Sequence, residues 1–281
     1  MLKIGQFNQL NVVKEVSFGV YLDGFDWGEI LLPRKAVPKN TSIGDYLDVF
    51  IYFDSEDKII ATTKHPYMTL GTCAFLKVID VNRVGAFLDW GLDKDLLVPK
   101  SEQRRPMQKD KSYLVYLTQD EQQRLVASSK LDLYLDRAFP CVQAGDAVDL
   151  LVAETTDLGT KVIVNHAHWG LIYAGDIFQT LQYGQRVRGY IKTVRNDGKL
   201  DIVLRQQGQH NIAGLAQRIL AALEQADGFL EIHDKSSPTE IKHAFNESKK
   251  NFKHAIGMLY KQGSIRIENN GIYLQQKRER Q

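Results

Sequence analysis

The sequence predicts a mainly β chain with a helical end: three tandem five-stranded β-barrels followed by a winged helix-turn-helix domain. Three observations carry this. Residues 18–33 are played again at residues 84–99, so that Gly19 and Gly85, Tyr21 and Phe87, Leu22 and Leu88, and Pro33 and Pro99 are each 66 positions apart, the size of one duplicated unit. A glycine ruler extends the pattern to a third copy, since Gly5 to Gly19, Gly71 to Gly85 and Gly145 to Gly159 all span 14 positions, and Gly5 to Gly44 matches Gly145 to Gly184 at 39. From Asn211 onward the apolar rhythm changes from alternation to steps of three and four, which marks helices.

In the first unit, residues 1–66, short alternating runs broken by Gly, Pro and Asp make about five strands, around Val12 to Val16, Val20 and Leu22, Ile30 to Leu32, residues 46–53 and residues 59–62. Asp54-Ser55-Glu56-Asp57 is a hairpin turn, and residues 39–44 form the long polar connection. Five short strands in about 60 residues have too little area for two stacked sheets, and closing into a barrel hides their edges. The second unit, 67–130, repeats the order, with strands expected at 72–81, 84–90, 95–99, 113–117 and 124–128. Its polar connection, 101–111, carries Arg104, Arg105, Lys109 and Lys111. The third, 140–207, is a degenerate copy with strands at 187–194 and 200–204 around the Asp197-Gly198 turn.

The C-terminal domain, 211–275, opens with Ile212, Leu215, Ala216, Ile219, Leu220 and Leu223 at helical spacing. Ser237-Pro238-Thr239-Glu240 is a specific helix start: a capping serine, proline at the first helical position and a glutamate that can reach back. A third helix over 248–261 turns Phe252, Ala255, Ile256 and Leu259 inward, and Gly263 stops it. Two strands flanking Asn269-Asn270 complete a winged helix. Residues 275–281 have no apolar side chain and are expected to fray.

The totals bound the function. Of 281 residues, 43% are hydrophobic and 25% charged, as in globular proteins with cores of ordinary size. No apolar run approaches the ~20 residues a membrane span needs, and the N-terminus lacks a leader-like segment, so a cytoplasmic protein without membrane contact is expected. Cys73 and Cys141 offer neither a disulfide framework nor a zinc cage. Net charge is only +2, but it is unevenly spread: residues 1–66 carry 7 basic and 9 acidic side chains, residues 235–281 carry 10 and 4. Bulk charge points to a polyanion only at the C-terminal end.

Nucleotide-binding loops and HExxH metal helices are absent from the sequence. His166 and His168 would share a strand face without a third metal ligand nearby, and Asp93 with Asp95, or Asp132 with Asp136, read better as exposed turn acids than as a magnesium site. The expectation is a non-enzymatic protein with no cofactor and no metal.

The run Val16-Ser17-Phe18-Gly19-Val20-Tyr21-Leu22, with Gly28-Glu29-Ile30-Leu31-Leu32-Pro33, Gly44-Asp45-Tyr46-Leu47-Asp48-Val49 and Asp57-Lys58-Ile59-Ile60-Ala61-Thr62, resembles the S1 RNA-binding domain; the second unit is similar through Val84-Gly85-Ala86-Phe87-Leu88. The whole order, S1-like repeats and then a winged helix, resembles the bacterial conserved virulence factor B, or YitL-like, family. The resemblance implies oligonucleotide-binding barrels and RNA binding in post-transcriptional control linked to virulence.

The candidate contacts follow. The face of strands two and three is where a single strand lies on such barrels, and stacking on an aromatic ring tolerates any base. Phe18, Tyr21 and Phe87 are placed on that face, with Arg34, Lys35 and Lys100, just after the matched prolines, near phosphates. Trp27 and Trp90 lie in the loop after strand two, where contact and packing are equally open; Trp90 is counted among the contacts. Val84 replaces one ring in unit two, and Leu158 and Lys161 replace both in unit three, which is therefore expected to be a spacer or protein-facing module; Trp169 and Tyr173 could compensate for the lost rings but read better as packing residues. On the winged helix, Lys249, Lys250 and Lys253 with Arg266 of the wing are the basic contacts. Single-stranded RNA is the expected partner of a monomeric chain, duplex nucleic acid a second ligand of the winged helix. A DNA-binding regulator and a protein-interaction scaffold of the translation or RNA-decay machinery are the alternatives.

Overall fold

The computed structural model describes residues 1–177, 179–204 and 209–275. It divides into two compact units, residues 1–204 and 205–281. The first unit holds three barrels. In the first barrel β1 (Phe7–Val16), β2 (Gly19–Asp23), β3 (Glu29–Pro33), β4 (Tyr46–Phe53) and β5 (Ile59–Thr62) close in the order β1-β2-β3-β5-β4. The second has β6 (Cys73–Val81), β7 (Gly85–Leu88), β8 (Leu96–Pro99), β9 (Ser112–Gln119) and β10 (Leu125–Ser128) in the order β10-β9-β6-β7-β8. The third, β11 (Ala147–Thr156), β12 (Gly159–Val164), β13 (His168–Tyr173), β14 (Arg186–Val194) and β15 (Leu200–Val203), closes again as β11-β12-β13-β15-β14. Degenerate in its aromatics, the third copy is nonetheless a complete barrel.

The repeated glycines have a steric cause. A Cβ on Gly19 would stand 2.2 Å from the Leu32 carbonyl oxygen, on Gly85 2.2 Å from that of Val98, and on Gly159 2.0 Å from that of Ile172. Strands two and three approach so closely at this corner that no side chain fits. The prolines answer from the other strand: Gly19 pairs with Pro33 and Gly85 with Pro99. Alternation then points Val20, Leu22, Ile30 and Leu32 into the first barrel and leaves Tyr21 and Leu31 outside.

The barrels share cores at their joints. Phe50 and Tyr52 of β4 belong to the apolar cluster of the second barrel, alongside Trp90, Val78 and Val115. Cys73, Leu114, Leu131, Leu135, Leu151, Ala153 and Ile163 make a separate cluster where the second barrel meets the third. There the Cys73 amide donates to His166 Nδ1 at 3.1 Å, and the Leu114 amide to the Tyr183 hydroxyl at 3.3 Å.

The second unit contains α1 (Gln209–Gln225), β16 (Phe229–Leu230), α2 (Pro238–Phe245), α3 (Lys249–Lys261), β17 (Ile265–Glu268) and β18 (Gly271–Leu274), with the sheet ordered β16-β18-β17. The capping box is present: the Glu240 amide donates to Ser237 Oγ and the Ser237 amide to the Glu240 carboxylate. Ile219, Ile241, Phe252, Ile256, Leu259 and Ile272 centre its core. The two-residue β16 has no periodic signal of its own; pairing with β18 creates it. The expected fraying of the tail concerns residues that, from 276 on, lie outside the described ones. No helix among the described residues is long and apolar enough to cross a membrane.

Candidate nucleic-acid interface

On the first barrel the hairpin register brings the candidate groups together. Val16 pairs with Gly19, so Phe18 sits in the turn rather than in strand two, a correction to the expected placement. At the turn tip its ring is 56% exposed, whereas a strand position would have tied it to one barrel face. Tyr21 lies half-buried on the outer face, opposite Lys14 on β1 and Leu31 on β3. The Phe18 and Tyr21 rings are 6.3 Å apart, edge to face, and Lys14 Nζ is 5.6 Å from the Tyr21 centroid. The Arg34 amide donates to the Phe18 carbonyl, which holds this arginine beside the turn, and its guanidinium meets Glu15 at 2.9 Å. Two rings, an ammonium and a guanidinium thus share one open face, a set that can stack a base and meet phosphate. No motif in the sequence marks Lys14, and its place across from Tyr21 follows from the hairpin register.

The second barrel repeats the backbone but not the electrostatics. Phe87 is half-buried between Asp80 on β6 and Leu97 on β8. Asp80 stands where the first barrel has Lys14. Burial and the neighbouring Asp89 and Asp80 raise the Asp95 carboxyl above its ordinary range, the mark of clustered negative charge. Lys100 is exposed after Pro99, its amide bonded to the Val84 carbonyl as Arg34 is to Phe18.

Trp90 is a correction. It is 2% exposed, packs edge-on against Phe50 at 5.8 Å and Tyr52 at 6.3 Å, and donates from Nε1 to the Lys94 carbonyl at 2.6 Å. A ring enclosed by the first barrel cannot stack on a base; it holds the joint between barrels. Trp27, by contrast, is 49% exposed in the turn between β2 and β3. Lys35 is exposed but ion-paired with Asp93, which also takes Lys64 at 2.5 Å; these lysine hydrogen bonds hold the Asp93 carboxyl below its usual range. Lys35 and Asp93 therefore tie the first two barrels together, and Lys35 is less free to meet a phosphate than its sequence position suggests. His166 and His168 do not share a strand face, because His166 lies in the turn before β13: His166 accepts from Cys73, and His168 is 3.3 Å from Asp136.

On the third barrel Leu158 at the β11–β12 turn is 67% exposed, matching Phe18 in place but not in chemistry. Lys161 occupies the Tyr21 position, its Nζ 3.7 Å from the centroid of the Trp169 ring, and Trp169 Nε1 donates to Asp132 at 3.0 Å. Tyr173 is half-buried and holds Arg195 through its hydroxyl. In the winged helix, Lys250 and Lys253 lie with His254 on the exposed side of α3. Lys249 is half-buried and donates to the Lys235 carbonyl at 3.2 Å. Arg266 is exposed, 3.5 Å from Glu268, with its guanidinium 5.6 Å from the Tyr273 ring.

Fold and surface define a nucleic-acid-binding class, tandem oligonucleotide-binding barrels joined to a winged helix. Residues 4–64 and 70–130 match the S1 domain family, and residues 217–274 match the CvfB-like winged helix domain family. The chain is similar over nearly its whole length to YitL of Bacillus subtilis, 29% identical over 97% of this chain and 94% of that one. It is likewise similar to conserved virulence factor B of Staphylococcus saprophyticus, 26% identical over 98% and 95%, and of Staphylococcus epidermidis, 28% over 98% and 95%. A solved multidomain protein with nucleic acid binding domains from Streptococcus pneumoniae aligns with a TM-score of 0.42 at 24% identity, covering 96% of this chain and 98% of that one.

Proposed function

We propose that this chain is an RNA-binding protein acting in post-transcriptional regulation in the cytoplasm, by binding rather than by catalysis. Single-stranded RNA lies on the outer face of the first barrel, continues weakly onto the second, and is gripped again by the basic side of the winged helix. The observation that carries this reading is the exposed Phe18 ring set edge to face with the half-buried Tyr21 on the outer surface of the barrel, with Lys14 beside Tyr21. An exposed ring of this size on a barrel surface costs solvation in the free protein and is recovered when a base covers it. The match of the first two barrels to the S1 domain supports the same ligand class. Modules on one chain raise one another's effective concentration, so none has to bind tightly alone.

The test is the double variant Phe18→Ala with Tyr21→Ala in the full chain. Each stacked base contributes ~1–3 kcal/mol, about 5- to 150-fold in affinity. Phe87→Ala should lose less, because Asp80 and Asp95 repel the phosphates that would follow the base. An unaltered affinity for single-stranded RNA in the double variant would favour a protein-interaction scaffold. The exposed Lys250 and Lys253 of α3 favour a second reading, a duplex-DNA regulator, since this helix is the one such domains offer to a major groove. Competition between labelled single-stranded RNA and duplex DNA separates the two, and clear duplex preference would sink the first. In an RNA helix the major groove is too narrow for α3, and the same lysines would meet phosphates instead.

A further inference from the structure

A cleft of about 390 Å³ opens between the second and third barrels. One lip is the polar connection of the second barrel, with Arg104 and Arg105; the floor includes Lys161 and Trp169 of the third barrel, and Tyr113 and Tyr183 line it further. Lys161 occupies the register position that Tyr21 has in the first barrel, between β11 and β13 partners. The third barrel's binding face is therefore turned into this cleft, its lost rings replaced by Trp169 of its own and tyrosines from both sides.

The two arginines are available, whereas Lys161 is engaged by the Trp169 ring. Arg105 is exposed and has no ion pair among the described residues. Arg104 is held only loosely, 4.0 Å from Asp132, and Lys161 is 3.8 Å from the same carboxylate. Glu154 is the acid of the lining and Asp132 borders it through Arg104 and Lys161, so three cations face two carboxylates. The volume lies within the ~300–1,000 Å³ of small-ligand sites, enough for one nucleotide at a time of a strand passing through.

We propose that this composite cleft is a second binding site for single-stranded RNA, with Arg104 and Arg105 on phosphate and the Trp169, Tyr113 and Tyr183 rings against a base. The inference rests on the RNA-binding reading above, but it places RNA where neither barrel alone has a platform. The third barrel then contributes to binding only as one wall of a joint, which is why its own strand-two positions could lose their aromatics.

The experiment uses the full chain and a labelled uridine 12-mer. Arg104→Ala with Arg105→Ala should flatten the slope of log affinity against log salt by about 1.4, from ~0.7 per phosphate contact, and lower affinity about tenfold at ~0.15 M salt. Arg104→Lys with Arg105→Lys should keep the slope. In a Trp27→Phe background the remaining indoles are buried Trp90 and Trp169, so the RNA should quench fluorescence, and the added Trp169→Phe should abolish that quenching. RNA binding that persists with an unchanged slope and no Trp169 quenching overturns the cleft and leaves the first barrel's role intact. Quenching by uridine monophosphate without any effect of the arginine substitutions on RNA affinity assigns the cleft to a free nucleotide and overturns the strand. No RNA binding by the unmodified chain overturns both readings.

Discussion

Replacing Trp90 by alanine separates packing from binding. The indole is 2% exposed, touches Phe50 and Tyr52 from the neighbouring barrel, and gives its Nε1 proton to the Lys94 carbonyl. Truncating a buried aromatic of this size costs ~3–5 kcal/mol, because lost transfer energy and the residual cavity add. Phe50 and Tyr52 come from β4, whose own barrel stays closed, so the site can collapse little and the upper half of that range applies. In a unit of this size each kcal/mol moves the midpoint by roughly 2–4 °C, which gives a fall of about 8–20 °C. Calorimetry of the full chain measures it, and RNA titration well below the transition should find affinity unaltered. Trp90→Phe keeps most of the volume and loses the N–H bond, so its cost should be nearer ~1–2 kcal/mol. A native melting temperature together with weakened RNA binding in Trp90→Ala would refute the packing role and restore the ring as a contact.

Two further outcomes are expected. Lys250→Ala with Lys253→Ala should reduce the salt slope of RNA binding by about 1.4, whereas Lys249→Ala, whose ammonium is already engaged by the Lys235 carbonyl, should change it less; fluorescence anisotropy at four or five salt concentrations decides. Burial, aided by Arg186, lowers the His166 pKa, so the unfolded chain binds this proton more readily than the folded one; the corresponding stability is complete above about pH 6.5 and is lost as pH falls from there towards the folded value. Denaturant midpoints at pH 7.5 and 5.5 should show this dependence, and His166→Gln should diminish it.

Much of the fold is legible in the residues because its signals are local. Gly19, Gly85 and Gly159 recur since each meets a carbonyl across its own hairpin, and the capping serine of α2 needs only the next three residues. Strand alternation likewise marks Tyr21 as an outer residue of the first barrel without reference to any other module. The site is less legible. Phe87 matches Tyr21 in the repeat, but the charge around it depends on Asp80 arriving from β6 and Asp95 from the residue just before β8.

What the sequence determined by itself is the repeat, the barrel corners, the helix starts and the ring at the first barrel's surface. All of these arise from interactions within one hairpin or one helical turn, where period and spacing dictate geometry. Tertiary structure alone decided the rest. It enclosed Trp90 against Phe50 and Tyr52, spent Lys35 on Asp93, and brought Arg104 and Arg105 into the lining of one cleft with Trp169. These outcomes depend on how one closed barrel docks on the next, and docking is set by surfaces assembled from residues tens of positions apart, which no local pattern encodes.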